Sequence, residues 1–346
     1  MGCGYSPNTL YTKLTIVYRF ELDFPNYVNG LETINNQKLS WVYLERPTRE
    51  KMDIVSKNFP IHELNIEDCL SKNQLPKIDR YDDHIFVILQ FPASLRGRAA
   101  PNFTQLSMFI GKDYLISITQ GDLYPLNDLF RTCNSGDQKI RNNFMGGSPG
   151  YLLHSILDAL VDNLLHILMK IIGNLDDIED EVFDDKVANA KEISILRREI
   201  TTLRRIVLPL KRIMLEITSR DVKRFSSSAA EEDLIDYFDD INDHISKVLE
   251  ALDESKETIE IYKDTDNMLN SEKTNKILSF LTILFTLSIP ITVAGTFYGM
   301  NIVIPGSVNE GGKIIDYFPL ILTASLSSLA AGVMVLYFRK LGWFNS

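Results

Sequence analysis

Apolar and polar positions divide the chain into three regimes. From about Leu14 to Ser117 short β-rich runs alternate with helical patches: Lys13 to Phe20, Leu39 to Tyr43, Ile85 to Phe91 and Leu106 to Ile118. The last of these is broken at Gly111-Lys112-Asp113, as a hairpin would be. This first regime, residues 1–147, is expected to be an α/β domain. Beyond it the β signal stops. Leu152, Leu153, Ile156, Leu160, Leu164, Ile167 and Ile171 recur at helical spacing, with Ser148 as the expected N-cap and Pro149 as the first helical residue. A second helical run extends from near Lys191 to about Val222, so residues 148–230 form a helical pair that ends in the interruption Ser226-Ser227-Ser228-Ala229-Ala230.

The third regime opens with the acidic first turn Glu231-Glu232-Asp233, after which neither glycine nor proline appears until Pro290. One helix over 231–297 would be roughly 100 Å long, and a helix of that length needs partners, either the preceding pair or copies of itself. Its end, Ile277 to Phe297, carries no charge, and neither does Tyr317 to Phe338. Each is long enough to cross a hydrocarbon core of roughly 30 Å. The chain therefore ends in a membrane hairpin: a first span, residues 298–316 as a connecting segment, a second span over 317–338 and a short tail, 339–346. Lys273 and Lys276 precede the first span and Arg339 and Lys340 follow the second, against only Glu310, Lys313 and Asp316 in the loop. By the positive-inside rule both termini are expected in the cytosol and the loop outside. The first residues, Met1 to Ser6, have no apolar core, so the N-terminal part is expected to stay in the cytosol.

Composition alters this picture in few places. At 24% charged and 45% hydrophobic the average resembles a soluble protein, because the long polar part dilutes the hairpin. The net charge of −10 disfavours nucleic acid as a partner and suits cations. Cys3, Cys69 and Cys133 are widely separated and show no metal spacing, which fits a reducing compartment. The first six residues also match a myristoylation pattern, taken as chance in a chain with its own membrane hairpin. His62, His84, His154, His166 and His244 show no ligand spacing, so zinc chemistry finds no support. Gly146-Gly147-Ser148-Pro149-Gly150 fits a nucleophile elbow, but no strand leads into it and a helix start explains its residues. No enzyme is expected. The acidic run Asp176, Asp177, Glu179, Asp180, Glu181, Asp184 and Asp185 is a solvated helix tip, or at most a diffuse reservoir for divalent cations.

The candidate chemistry lies along the first span. Asn275, Leu278, Leu281 or Thr282, Phe285, Ile289, Thr292, Thr296 and Gly299 trace one stripe of the helix. Gly299, Met300 and Asn301 then place a residue without a side chain and a neutral amide at the membrane mouth. Copies that turn this stripe to a common axis would build a pore with amides at both ends, an apolar middle and no charge. Because Mg2+ gives up water reluctantly, neutral oxygens that bond to the waters of a hydrated ion suit flux better than carboxylates.

These residues resemble the CorA-type magnesium channels over nearly the whole chain. The strongest likeness is Asn275, the Leu281-Thr282 pair, Pro290, Thr292 and then Tyr298-Gly299-Met300-Asn301. Upstream, Ile61 to Asp68, Gln74-Leu75-Pro76-Lys77, Tyr81 to Phe86, Leu157 to Asn163, Leu203 to Pro209 and Asp240 to His244 resemble further segments of that family. The resemblance implies an α+β membrane protein assembled as a funnel-shaped homopentamer in the lipid bilayer, with the long helix lining the pore and the second span in an outer ring. It implies a selectivity filter of Gly299, Met300 and Asn301 for hydrated Mg2+, and a pore and gate at Asn275, Leu278, Leu281, Ile289 and Thr292. It also implies a regulatory divalent ion shared by Asp68 and Asp240 of neighbouring subunits, which closes the channel when internal Mg2+ is plentiful. Co2+, Ni2+ or Zn2+ as cargo, and a non-conducting membrane-anchored sensor, are the competing expectations.

Overall fold

The computed structural model describes residues 30–71, 74–93, 103–146, 148–183, 190–225, 231–300 and 318–341. The expected strand at Lys13 to Phe20 lies outside them. Two compact units are present, residues 1–263 and 264–346.

In the first unit six described strands form one sheet in the order β1-β2-β6-β5-β4-β3: β1 (Leu31–Asn36), β2 (Leu39–Glu45), β3 (Lys77–Arg80), β4 (Ile85–Pro92), β5 (Phe103–Ile110) and β6 (Tyr114–Thr119). All neighbours are antiparallel except β2 and β6. The Gly111-Lys112-Asp113 break is the turn of the β5–β6 hairpin, closed by Gly111 N–H to the Tyr114 carbonyl at 2.9 Å. Strands β2, β4 and β6 are apolar on both faces because helices cover both. On one side α1 (Arg49–Asn58) and α2 (Glu63–Leu70) bring Met52, Val55, Ile66 and Cys69 into a core with Val42, Leu44, Phe86, Ile88 and Phe109. On the other, Phe130 of α3 (Tyr124–Asn134) meets Trp41 edge-on at 4.9 Å and stacks on Tyr43 at 4.7 Å. Alternation along β2 thus divides its side chains between two cores, and each large side chain so buried contributes about 1.5–3 kcal/mol.

After α4 (Gln138–Met145) the chain turns into α5 (Pro149–Phe183) through the segment that mimics a nucleophile elbow. Gly146 caps α4 at φ +53°, a conformation that favours glycine. The Ser148 hydroxyl accepts from the Tyr151 N–H at 3.2 Å, the expected N-cap. A Cβ on Gly150 would come within 2.7 Å of Leu234 and 3.1 Å of the Phe225 carbonyl. The motif is therefore spent on capping and close packing.

Helix α6 (Ala190–Arg220) buries Ile200, Leu203, Val207, Leu210, Met214 and Ile217 and is followed by the short α7 (Val222–Phe225). The long helix α8 (Glu231–Gly299) starts in the first unit and ends in the second. In the first unit it packs Phe238, Ile241, Ile245, Val248, Leu252 and Ile259 as buried residues. Polar ties hold it: Asn242 donates to the Thr218 hydroxyl at 2.9 Å, Arg197 pairs with Glu260 at 2.7 Å, Arg204 pairs with Asp253, and the Tyr262 hydroxyl donates to Glu179 at 2.5 Å. Edge strand β3 is pinned to the same helices. Arg80 grips the buried Asp221 carboxylate with three contacts of 3.0–3.2 Å, and Arg224 donates to the Tyr81 and Asp82 carbonyls. In the second unit the end of α8 is joined by α9 (Phe318–Lys340).

Candidate functional site

Two sets of residues bear on function, one in each unit. In the second unit, α8 and α9 are the described helices long and apolar enough to cross a membrane. They run antiparallel: Thr323 Oγ1 donates to the Tyr298 hydroxyl at 3.3 Å, and Ser327 Oγ to the Pro290 carbonyl at 3.4 Å. This packing leaves the second-unit part of α8 largely uncovered, and 0% of its most apolar stretch is buried. Asn275, Leu278, Leu281, Phe285, Ile289 and Thr292 are all exposed.

The hydroxyls of α8 settle what such a face offers. Thr282 donates to the Leu278 carbonyl at 2.7 Å, Thr286 to Thr282 at 2.7 Å, Thr292 to Ser288 at 2.5 Å and Thr296 to Thr292 at 3.0 Å. Each spends its hydrogen on its own helix, as serine and threonine commonly do. What remains on the oxygen is an acceptor. A hydrated cation turns its water hydrogens outward, so oxygens of this kind suit it.

Helix α8 ends at Gly299, with no basic residue in its last turn. Its final carbonyls and the negative end of its dipole therefore collect beside Gly299, where a cation is favoured. Met300, half exposed, closes the end with its N–H to the Phe297 carbonyl at 3.4 Å. A Cβ on Gly299 would meet nothing within 4 Å among the described residues. Those residues give no steric reason for glycine there. Asn301 and Glu310 lie outside the described residues.

In the first unit, Asp68 sits in the last turn of α2 and Asp240 on α8, and the partners found for them have no residue in common. Asp68 Oδ2 is 2.7 Å from Lys77 Nζ, and the Asp68 carbonyl accepts from Gln105 Nε2 at 3.0 Å. Asp240 is 65% exposed, with His244 Nε2 at 3.9 Å. Across from it on α5 are His154 and Asp158, both in its electrostatic field. Burial raises the Asp158 pKa from its ordinary value, with Asp162 and Asp240 adding to the rise and the two histidines opposing it. Sequence reasoning missed Lys77 and Asp158 as neighbours of the two carboxylates; the i, i+4 pairs His154/Asp158 and Asp240/His244 were a signal for Asp158, and helical spacing offered none for Lys77. No group of three or more His, Cys, Asp or Glu among the described residues is arranged to hold a metal ion.

Burial lowers the His154 pKa, and its Nδ1 is buried without a hydrogen-bond partner. Between that lowered value and the ordinary 6.5 the unfolded chain binds more protons than the folded one. The stability contribution is full above 6.5 and is lost as pH falls toward the folded value. Thermal midpoints in detergent with chelator should therefore drop on acidification, and His154→Gln should flatten that drop.

The sequence model of the family described as CorA-like Mg2+ transporter protein matches residues 36–340. A cobalt/magnesium transport protein CorA from Thermotoga maritima is 26% identical over 98% of this chain and 97% of its own. The zinc transport protein ZntB of Pectobacterium atrosepticum is 19% identical over 88% of this chain and 90% of its own. The solved structure of the CorA magnesium transporter from Methanocaldococcus jannaschii shares the fold, with a TM-score of 0.71 at 20% identity, covering 90% of this chain and 93% of that one. With two uncharged helical stretches of span length and a family match over nearly its whole length, the chain belongs to the CorA-like Mg2+ transporter family and is a membrane transporter of divalent metal ions, not an enzyme.

Proposed function

We propose that the protein is a gated channel for Mg2+, with Co2+ and Ni2+ as secondary cargo, assembled as a homopentamer in the cytoplasmic membrane with both termini in the cytosol. The observation that carries this is the uncovered, uncharged stripe of α8 leading to a helix C-terminus at Gly299. A bare anchor needs neither the acceptor hydroxyls nor the amide. Gly299, Met300 and Asn301 select the hydrated ion, and Asn275, Leu278, Leu281, Ile289 and Thr292 line the pore and its gate. The parts of the chain take their roles as 1–147 sensing domain, 148–230 helical pair, 231–297 stalk and first span, 298–316 filter and outer loop, 317–338 outer span and 339–346 tail. Inward flux is driven by about 2.3 kcal/mol per charge per 100 mV, doubled for a divalent ion.

Intracellular Mg2+ bound between Asp68 of one subunit and Asp240 of the next closes the channel. Carboxylate oxygens suit this hard cation, and the exposure of Asp240 beside Asp158 supplies a negative field on an accessible surface.

Uptake into liposomes of purified protein, comparing Mg2+, Co2+ and Zn2+ with and without an imposed potential, tests the proposal. Potential-driven Mg2+ uptake is expected. Zn2+ transport with no Mg2+ flux would favour the second reading, a zinc transporter, to which the similarity with ZntB points. The gate has its own test. Leu278→Asn or Leu281→Asn makes the constriction easier to wet, so leak at high internal Mg2+ should rise. Unchanged flux in both variants would mean that these leucines point away from the axis.

A further inference from the structure

Asp68 stands where a helix tolerates a carboxylate least. It lies in the last turn of α2, at the negative end of the dipole, and α2 has no basic residue there. The counter-charge comes from outside the helix. Lys77, the first residue of β3, places Nζ 2.7 Å from Asp68 Oδ2 and 2.6 Å from Asp79 Oδ2, and lies 5.5 Å from the centre of the Phe86 ring. Only 18% of the Asp68 side chain is exposed, so this pair is shielded more than an ordinary surface bridge. Burial opposes the charge on Lys77, but the hydrogen bonds to Asp68 and Asp79 outweigh it and raise the lysine pKa.

We infer that Lys77 is a tethered cation that occupies Asp68 and competes with the regulatory divalent ion, so that it sets the Mg2+ concentration at which the channel closes. This rests on Asp68 being a regulatory ligand. An ammonium and a divalent ion on the same carboxylate repel each other, so the ion must displace Lys77. Asp79 makes displacement possible without leaving a partly buried ammonium unpaired, because Lys77 already touches it. The two neighbours of Asp68 therefore act in opposite senses: Lys77 holds the site against Mg2+, and Asp79 draws Lys77 away.

The test is a Mg2+ titration of the full chain, reading protection from proteolysis in detergent and inhibition of uptake in liposomes. Lys77→Met keeps the length of the stem against Phe86 and removes the charge; it should lower the Mg2+ midpoint by about tenfold, the equivalent of 1.4 kcal/mol. Lys77→Arg keeps the charge and should not lower it. Asp79→Asn leaves Lys77 committed to Asp68 and should raise the midpoint. A Lys77→Met midpoint that is unchanged or raised, while Asp68→Asn shifts it, overturns the inference. So does an Asp79→Asn midpoint that is unchanged or lowered, and this variant decides alone if Lys77→Met fails to assemble. Where Asp68→Asn itself leaves the midpoint unmoved, the regulatory role of Asp68 is what fails, and the role of Lys77 falls with it.

Discussion

Asn301→Ala should abolish selective Mg2+ uptake while the protein still assembles. In the proposed filter its amide oxygen would accept from the waters of a hydrated ion, and alanine puts nothing in its place. Each hydrogen bond so lost is worth about 1 kcal/mol, and several copies facing one axis lose it together, so uptake should fall by at least about tenfold. Gly299→Ala should fail for a different reason. The added methyl meets nothing within 4 Å among the described residues, so it makes no clash with them. Loss of flux in an assembled Gly299→Ala protein would then point to crowding at an axis that several copies share. Uptake measured beside size-exclusion profiles separates these effects from misassembly. Wild-type flux in an assembled Asn301→Ala protein sinks the filter assignment, and wild-type flux in Gly299→Ala removes the glycine from the axis.

Features set by local chemistry were legible in the sequence. The β5–β6 turn, the Ser148 cap and the long helix depend on neighbours within a few residues, and the structure has them at or near the expected positions. The membrane hairpin was legible for the same reason, since an uncharged run of span length has few other uses. Strand β3 was not. Its sequence, Lys-Ile-Asp-Arg, has one apolar residue and no alternation worth the name, and it is a strand because β4 pairs with it and Asp221 holds Arg80. Strand β1, Leu-Glu-Thr-Ile-Asn-Asn, likewise depends on the ladder with β2. Asp68 and Lys77 are nine positions apart, on a helix and a strand, so helical spacing does not relate them. The histidines showed no ligand spacing along the chain, yet the packing of α5 against α8 sets His244 of α8 in the field of Asp158 on α5. In each case the contact exists only after two elements have docked.

The second large effect concerns closure. Asp68→Asn with Asp240→Asn should strip the channel of most of its response to internal Mg2+: inhibition of uptake moves to much higher concentrations, and the ion no longer protects the cytosolic part from proteolysis. Without a cation, carboxylates that approach each other across the proposed subunit boundary would repel, and Asp240 would bring Asp158 with it, adding negative charge there. A bound divalent ion reverses the sign of that interaction and favours the tight assembly. The two single variants should not be equal. Asp240→Asn removes an exposed carboxylate and relieves Asp158. Asp68→Asn in addition frees Lys77, which leaves a positive charge close to the site with Asp79 as its remaining partner. Asp68→Asn should therefore shift the midpoint further than Asp240→Asn, and the double variant further than either, because residues that share one ion do not act independently. A double variant that keeps the wild-type Mg2+ dependence in both assays would return Asp240 to the solvated surface and Asp68 to its bridge with Lys77, and closure would have to be sought elsewhere.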